Sequence, residues 1–456
     1  MKNSKFVLIG GGSYAWTRTL FTDIALNPDL KGLHVVLQDI NTEALHTVTD
    51  LCKKVNETVG GSVTVEGTSD LDRALSDADF VGLTISTGGA SADAQDMHIP
   101  QKHGVIQTVA DTVGPGGWIR SLRNIPVVID IIRKVERKCP DAWFMNYTNP
   151  MTVLTKVINK VSSIKCVGIC HELQGLLLHL AYYFGLDWQK DFSLSIAGIN
   201  HLIWVTQMAV KGHDGLRVTA DYARDPENFK KLGPLGISEE LLDGGGAAPS
   251  QKVKFDLLSL TGYLPAAGDA HIVEFIPRYL CSSEEAAKWG FGTKEKAHTF
   301  ARTDPREKRK QKCLDMLSGK TPIPVLHSHE HADRTIAALS GSGAPLITPV
   351  NLPNVGQIDN IAREAVVETL GLVTENFIHP LTAGKLPDVV LPYVIPHVCN
   401  QEMIAEAGLT GNRELALQAL VNDPAIRHPD IAVKIAEDFF SAYKDMLPQF
   451  NGQWSL

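Results

Sequence analysis

The sequence predicts an α/β protein with an N-terminal Rossmann-type parallel sheet and a second, mixed α+β domain. Through the first 190 residues, strand-like and helix-like segments alternate, which is typical of a parallel sheet with helices on both faces. After Asp187 this alternation ends. A chain of 456 residues is also too long for one ordinary compact domain. We therefore expect two domains, residues 1–190 and 191–456.

The elements of the first domain follow from the periodicity of its apolar residues. A helix after the second strand has Asn41 as a cap and places Ala44, Val48, Leu51 and Val55 on one face. Residues 124–138 and 151–161 have the pattern of crossover helices. Short apolar runs predict six strands, at residues 6–9, 33–37, 63–66, 80–85, 143–146 and 166–169.

The second domain has a less regular pattern. Residues 193–198 and 203–210 predict two strands of a mixed sheet. From Gln251 onward the sequence reads as mainly helical. Predicted loops, rich in glycine or proline, lie at residues 243–248, 345–353 and 391–396.

Composition and charge narrow the class of protein. The net charge of −8 gives no indication of nucleic-acid or membrane binding, and the basic run 306–312 reads as a solvated helix face. No apolar run is long enough for a membrane span, and the N-terminus does not resemble a signal peptide. Seven cysteines without a regular spacing indicate free thiols in a reducing compartment, so we expect a cytoplasmic protein.

The first strand leads into a dinucleotide-binding fingerprint. The turn has the form G-x-G-x-x-A and uses Gly10, Gly12 and Ala15, with Ser13 and Tyr14 between them. The glycines allow the tight turn and the approach of a pyrophosphate, and amides at the start of the next helix face the phosphates.

Asp39 ends the second strand, where a carboxylate accepts a bond from the adenosine ribose and repels a 2′-phosphate. The sequence therefore predicts NAD rather than NADP. The resulting domain order is that of lactate and malate dehydrogenases.

Further polar residues follow the later strands. The glycine-containing segment 110–117 includes Asp111, and Asn149 follows the fifth strand. Cys170 follows the sixth strand, and His201 follows a strand of the second domain. Ligands bind at the carboxyl ends of strands in open α/β sheets, so these residues could meet in one cleft.

Cys170 and His201 allow three interpretations on residue chemistry alone. They are a buried cysteine and a core histidine, a metal-binding pair, or a nucleophilic Cys–His pair. If they bind a metal, ligand softness favours zinc over manganese.

The motifs taken together resemble glycoside hydrolase family 4, whose members are NAD- and manganese-dependent glycosidases. The resemblance runs over most of the chain. It rests on Gly-Gly-Gly-Ser at 10–13, Gly-Pro-Gly-Gly at 114–117, Asn-Pro at 149–150, Cys-His at 170–171, Asn-His at 200–201, Leu-Pro-Ala-Ala-Gly-Asp at 264–269, His271 with Glu274-Phe275, Val-Asn-Leu-Pro at 350–353 and Asn-Gln-Glu at 400–402.

The resemblance implies an unusual route of hydrolysis. NAD oxidises C3 of the sugar, which acidifies the C2 proton, and Mn²⁺ held by Cys170 and His201 polarises the carbonyl. A base removes the C2 proton, the glycosidic oxygen leaves, water adds, and NADH returns the hydride. The cofactor therefore ends each turnover as it began.

The resemblance also implies roles for single residues. Asn149 contacts the region of the sugar and the metal, and Asp111 is an acidic residue near the site. His171 is the candidate acid for the leaving group. The candidates for the base are Tyr263 and Asp269, and a tyrosine would need nearby positive charge to act at neutral pH.

The segment Cys170-His171-Glu172 resembles the α-galacturonidase subgroup, whose motif is Cys-His-Glu-Val, with Leu173 replacing valine here. Segments 111–117 and 265–269 also match this subgroup. Glu172 beside the sugar disfavours 6-phosphorylated substrates by repulsion. A uronate carboxylate requires a cation or hydrogen-bond donors, and the candidates are Arg120, Arg123 and Arg278.

The expected function is therefore α-galacturonide hydrolysis with NAD and Mn²⁺, by a homodimer or homotetramer. One alternative is a member of the same family that acts on another α-hexoside, such as a glucuronide, glucoside or galactoside. Others are a true NAD-dependent sugar or hydroxy-acid dehydrogenase and a non-catalytic NAD-binding sensor.

Overall fold

The computed structural model describes residues 4–232, 251–291, 305–328 and 330–451. In this part of the chain, thirteen strands form one sheet, and helices cover both of its faces. The expected α/β class is confirmed. None of the described helices is both long and apolar enough to cross a membrane. The loop predicted at 243–248 lies outside the described residues.

The strands of the described part are β1 (Lys5–Ile9), β2 (His34–Gln38), β3 (Thr64–Thr68), β4 (Phe80–Leu83), β5 (Trp143–Asn146), β6 (Lys165–Gly168), β7 (Phe192–Ile199), β8 (Leu202–Val210), β9 (His213–Asp214), β10 (Leu264–Pro265), β11 (Leu346–Pro353), β12 (Val366–Thr374) and β13 (Phe377–Pro380). The α-helices are α1 (Trp16–Leu26), α2 (Thr42–Thr58), α3 (Leu71–Leu75), α4 (Gly89–Lys102), α5 (Gly114–Lys138), α6 (Met151–Val161), α7 (Glu172–Phe184), α8 (Gly215–Arg224), α9 (Pro226–Lys231), α10 (Lys252–Thr261), α11 (Asp269–Phe275), α12 (Ser283–Lys288), α13 (Pro305–Leu317), α14 (Ala332–Leu339), α15 (Leu391–Thr410), α16 (Arg413–Val421) and α17 (Pro429–Ala442). Short 3₁₀ turns occupy Pro28–Leu30, Pro277–Leu280, Lys444–Met446 and Pro448–Phe450.

The first six strands are parallel and lie in the order β3-β2-β1-β4-β5-β6. This is the order of dinucleotide-binding sheets, with the crevice at the carboxyl ends. Apolar runs such as Lys5–Ile9 are buried almost throughout, as expected for strands covered on both faces. Asn41 caps α2 as predicted, since its side chain accepts from the Ala44 amide at 3.1 Å.

The second half of the chain extends the same sheet with antiparallel strands. The predicted pair of strands is confirmed as the β7–β8 hairpin. β12 lies between β7 and β11, and β11 meets β6, the last of the parallel strands, through one residue pair, Asn351 with Gly168. One sheet therefore crosses the boundary expected at residue 190, and that boundary stays a prediction.

The prediction of a loop at 345–353 is wrong, because Leu346–Pro353 form β11. Three prolines suggested a loop. However, β11 pairs fully with β12 and meets β6 only at Asn351, and prolines are tolerated where a strand edge has few partners. The reading of the region after Gln251 as mainly helical also missed β12 and β13.

Two helices begin earlier than the sequence indicated. The predicted loop at 391–396 is the start of α15, where Pro392 lies in the first turn and needs no hydrogen bond. The predicted helix 124–138 begins at Gly114, so the Gly-Pro-Gly-Gly segment forms the first turn of α5.

Candidate active site

The turn after β1 requires glycine, because a residue with a side chain would be strained there. Gly10 has a φ of 86°, and a Cβ there would lie 1.9 Å from the Thr84 carbonyl oxygen. The Gly12 amide donates to Asp39 Oδ2 at 2.9 Å, and Asp39 Oδ1 accepts from the Asn41 amide at 2.8 Å. The predicted fingerprint residues thus form one hydrogen-bonded unit at the carboxyl ends of β1 and β2.

The other fingerprint residues shape the start of α1. Ser13 Oγ accepts from the Trp16 amide at 3.2 Å, and Ala15 is buried where the helix approaches the sheet. The Tyr14 ring lies near Glu43, Thr47 and Lys310, between α2 and α13, and burial raises the pKa of its phenol. A contribution of Tyr14 to cofactor binding would therefore come from its backbone.

A second group of side chains meets at the same edge of the sheet. Asp111, His201 and His271 offer ligand atoms that all lie within 4.8 Å of one another. His201 occupies the β7–β8 turn with a φ of 65°, and its ring centroid lies 3.9 Å from that of His271 on α11. Glu274 Oε1 accepts from the Val109 and Ala110 amides at 2.6 and 2.8 Å, which holds the segment before Asp111 against α11.

Thr112 determines which nitrogen of His201 carries the proton. Its hydroxyl donates to Asp111 Oδ1 at 2.6 Å and lies 2.8 Å from His201 Nδ1. An ionised carboxylate only accepts, so the single hydroxyl proton goes to Asp111 and the oxygen accepts from Nδ1–H. This arrangement leaves Nε2 with a free electron pair, the form that ligates metals.

The charges of the group suit a cation. Burial by itself raises the pKa of Asp111, but nearby His271 and the hydrogen bond from Thr112 lower it to about 2. Burial and His271 lower the pKa of His201 to about 3. At neutral pH the group thus presents a carboxylate and a neutral imidazole. Asp111 Oδ2 also accepts from the Asn149 amide at 2.9 Å, which brings the predicted Asn149 to the same place.

Cys170 lies outside this three-residue group of described side chains. The Asn200 side chain and the Glu172 amide hydrogen-bond its sulfur. Burial raises the pKa of the thiol well above its ordinary value, and Glu368 and Glu172 add to this. Asn200 also donates to Glu368 Oε2 at 3.1 Å. Cys170 and His201 are therefore linked through Asn200, the residue before His201.

His171 directly precedes α7, Glu172 is the first residue of that helix, and the two side chains carry opposite charges. Burial lowers the pKa of His171, but Glu330, whose Oε1 lies 3.2 Å from Nδ1, raises it to about 9. Burial raises the pKa of Glu172, but His271 and His171 lower it to about 2. Glu172 accepts from the Gly268 amide, and its Oε1 lies 4.0 Å from His271 Nε2. Glu172 is thus an ionised acid beside the three-residue group.

Buried polar atoms without hydrogen-bond partners converge on this region of the described structure. They are Asn149 Oδ1, Asn200 Oδ1, Asn351 Oδ1, Glu368 Oε1 and His271 Nδ1. Native proteins rarely leave such atoms unsatisfied, so a cluster of them indicates a bound group. Imidazole, carboxylate and thiol donors beside them fit a divalent cation, and the amide oxygens fit sugar hydroxyls.

The structure gives the two candidate bases different surroundings. Both carboxylate oxygens of Asp269 accept amides of α10, from Val253 at 2.8 Å and from Lys254 at 3.2 Å. Burial raises the pKa of Asp269 to about 6. Tyr263 is half-buried between α10 and β10 and packs against an apolar core cluster. Asp269 thus caps α10, and the identity of the base stays a prediction.

The three arginines predicted as candidates for binding the substrate carboxylate already interact with other residues of the protein. Arg120 donates to Asp93 Oδ1 at 2.7 Å and to the Asn149 carbonyl at 3.3 Å. The exposed Arg278 lies over the Tyr393 ring, 5.2 Å from its centroid. Arg123 is fully buried.

We expect an Arg123→Met variant to be less stable by about 3–5 kcal/mol, because it leaves the buried Asp96 charge unpaired. Arg123 donates to both oxygens of Asp96, at 2.8 and 2.5 Å. Urea unfolding measures the loss. An Arg123→Met/Asp96→Leu double variant should recover part of it. Unchanged stability of the single variant would contradict a structural role for this pair.

His271, Thr112, Asn200, Glu330 and Glu368 belong to the site, but the sequence did not assign roles to them. His271 stood in a motif string, and Asn200 stood beside His201. Glu368 was hidden because its strand was missed. Thr112 and Glu330 gave no signal, since their roles depend on neighbours far away in the chain.

Comparison with known proteins places the chain among glycosidases. An α-galacturonidase of Thermoanaerobacter italicus is 36% identical, and the match covers 99% of this chain and 98% of that protein. The crystal structure of lplD from Bacillus subtilis superposes with a TM-score of 0.86 at 33% identity, covering 96% of this chain and 100% of that one. A 6-phospho-α-glucosidase from gut microorganisms, solved with NAD and Mn²⁺, has a TM-score of 0.82 at 19% identity, covering 98% and 100%.

The family models divide the chain into two matched segments. The model described as family 4 glycosyl hydrolase matches residues 5–185, and the model of the C-terminal domain of that family matches residues 196–426. Together they contain the fingerprint turn, Cys170 and the three-residue group. The chain therefore belongs to family 4 of the glycosyl hydrolases.

Proposed function

We propose that this glycosidase hydrolyses α-galacturonides with NAD and Mn²⁺ as cofactors, in a homodimer or homotetramer. The observation that carries the proposal is the similarity to the T. italicus α-galacturonidase, which extends over 99% of this chain. The Cys170-His171-Glu172 segment supports it, because this segment resembles the Cys-His-Glu-Val motif of the α-galacturonidase subgroup.

The residues of the site fit both cofactors. When bound, NAD supplies a hydride acceptor for C3, and Mn²⁺ supplies a Lewis acid that acidifies the proton at C2. Gly10, Gly12 and Asp39 would hold NAD at the carboxyl ends of β1 and β2. His201 would hold the metal through Nε2, either with Cys170 or with Asp111 and His271.

The other residues would bind the sugar and move protons. Asn149, with Oδ1 unsatisfied and its amide held by Asp111, is placed to accept from a sugar hydroxyl. His171, oriented by Glu330, is the proposed acid for the leaving oxygen. Tyr263 and Asp269 remain the candidates for the base at C2. Arg120 donates to the Asn149 carbonyl and is also proposed to bind the substrate.

A panel of aryl α-glycosides with NAD and Mn²⁺ tests this function. We expect the galacturonide to be preferred by about 100-fold in kcat/KM over the galactoside and glucoside. The reason is that a site built to bind the C6 carboxylate rejects sugars that lack this group. Hydrolysis in heavy water should place deuterium at C2, and a chelator should abolish activity.

Other results of the panel would contradict the proposal in distinguishable ways. Preference for the glucuronide, galactoside or glucoside would keep the family and change the sugar. Net accumulation of NADH with an intact glycoside would indicate a dehydrogenase. Hydrolysis without deuterium at C2 would exclude the redox-elimination route. Light scattering measures the assembly state independently of these outcomes.

A further inference from the structure

A uronic acid brings its own negative charge to a site that already contains the Glu172 and Asp111 side chains. The substrate carboxylate therefore requires a cation in a partly desolvated position. The three arginine candidates hold Asp93, Asp96 and the Tyr393 ring instead. A cation other than these three arginines is therefore required.

Lys254 in the first turn of α10 is a buried cation of this kind. Its side chain is only 2% exposed. No hydrogen bond or ion pair within 4.0 Å joins its Nζ to any residue that the structure describes. A buried ammonium group without a partner is strongly disfavoured, and a ligand that brings a negative charge removes this penalty.

Two hydrogen bonds connect the start of α10 to the active site. The Lys254 amide donates to Asp269 Oδ1 at 3.2 Å, and the neighbouring Gly268 amide donates to Glu172. Glu172 Oε1 in turn lies 4.0 Å from His271 Nε2. Asp269 and Glu172 both act electrostatically on the Lys254 ammonium group, so this group is near these two carboxylates.

The face of α7 opposite Lys254 has room for a ligand. Glu172, Gly175 and His179 are three or four residues apart, so they share this face. Lys254 acts electrostatically on both Glu172 and His179, the residues on either side of Gly175. A Cβ added at Gly175 would meet no heavy atom of the described residues within 4 Å. Among those residues, the space beside Gly175 is thus open, and it is flanked by a cation with which none of them pairs.

We infer that Lys254 binds the C6 carboxylate of the uronic acid and sets the preference for galacturonides over galactosides. The inference rests on the proposed function and deepens it. Burial lowers the pKa of Lys254, whereas the nearby Asp269 and Glu172 carboxylates favour its charged form, and neither forms an ion pair with it in the described structure. A neutral C6 hydroxymethyl group would leave Lys254 without a counter-charge, which disfavours galactosides.

The test compares the binding of galacturonate and galactose to the NAD- and Mn²⁺-loaded protein by calorimetry. We expect Lys254→Met to weaken galacturonate binding by about 100-fold, the usual effect of removing one partner of a buried charge pair. Galactose binding should change less than about threefold, and Lys254→Arg should retain part of the preference. Lys288→Met is the matched control, because Lys288 is exposed on α12 and pairs only with Glu285 among the described residues.

The outcomes separate the inference from the proposed function. If wild-type protein prefers galacturonate and folded Lys254→Met keeps that preference, the inference is overturned and the function stands. If wild-type protein shows no preference for galacturonate, no carboxylate subsite exists and the inference also fails. Cleavage of the aryl galacturonide by wild-type protein then decides the function separately. Lys254→Gln provides a second variant if Lys254→Met does not fold.

Discussion

We expect His201→Ala to reduce galacturonide hydrolysis by about 1,000-fold or more, because a Lewis acid contributes several kcal/mol to such a reaction. Both possible ligand sets, with Cys170 or with Asp111 and His271, contain His201. Thr112 holds the proton on Nδ1 of His201, so Nε2 is the ring nitrogen that has a free electron pair for the metal. Steady-state kinetics and Mn²⁺ titration monitored by electron paramagnetic resonance measure the two losses.

Companion variants decide which ligand set is used. Cys170→Ser and His271→Asn should differ, and the variant that weakens Mn²⁺ binding by about 100-fold or more identifies the set. His213→Ala is the control, since His213 is exposed on β9 at the far end of the same hairpin. A His201→Ala variant that retained its metal and its activity would refute the assignment.

The second large effect is expected for Gly10→Ala. A backbone φ of 86° is unfavourable by about 1–2 kcal/mol for a residue that has a side chain. The added Cβ would also lie 1.9 Å from the Thr84 carbonyl oxygen. The backbone immediately after β4 would have to move, so the total destabilisation should reach about 2–5 kcal/mol. NAD binding should weaken by at least about 100-fold, because the turn that faces the pyrophosphate is displaced. Urea unfolding and fluorescence titration with NAD measure both effects.

Gly104→Ala separates the two causes. Gly104 also has a left-handed backbone, with φ of 82°, but a Cβ there would meet no heavy atom within 4 Å in the described part of the chain. Its replacement should cost only the conformational term and should leave NAD binding unchanged. Equal behaviour of the two variants would show that the close approach to Thr84 has no effect.

Local patterns predicted the parallel part of the fold well. Strands such as β1 are continuous apolar runs, and a cap such as Asn41 acts within four residues, so both are visible in a short window of sequence. β11 and the start of α15 were misread because proline is judged by its local effect. Whether it is tolerated depends on partners that the sequence does not show, such as the single contact of β11 with β6.

The site was predicted only where a residue stands at the end of a strand. Asn149 and His201 belong to that class and meet Asp111 in the structure. Asp269 shows the limit of this approach, since a motif placed it near the site, and the structure shows that its oxygens cap α10. Long-range partners, such as Glu330 beside His171, are decided by packing between distant segments.

The single residue pair between β6 and β11 has a consequence for how this enzyme can be altered. Asn351 pairs with Gly168 on β6 and with Glu368 on β12, so the backbone that joins the two halves is also the backbone that supports Cys170 and its carboxylate neighbour. The halves are therefore not interchangeable modules, and recombining them with halves of other enzymes would disturb the reaction centre at the join. If Lys254 binds the substrate carboxylate, α10, which lies outside this join, offers positions for changing the sugar while the chemistry is kept.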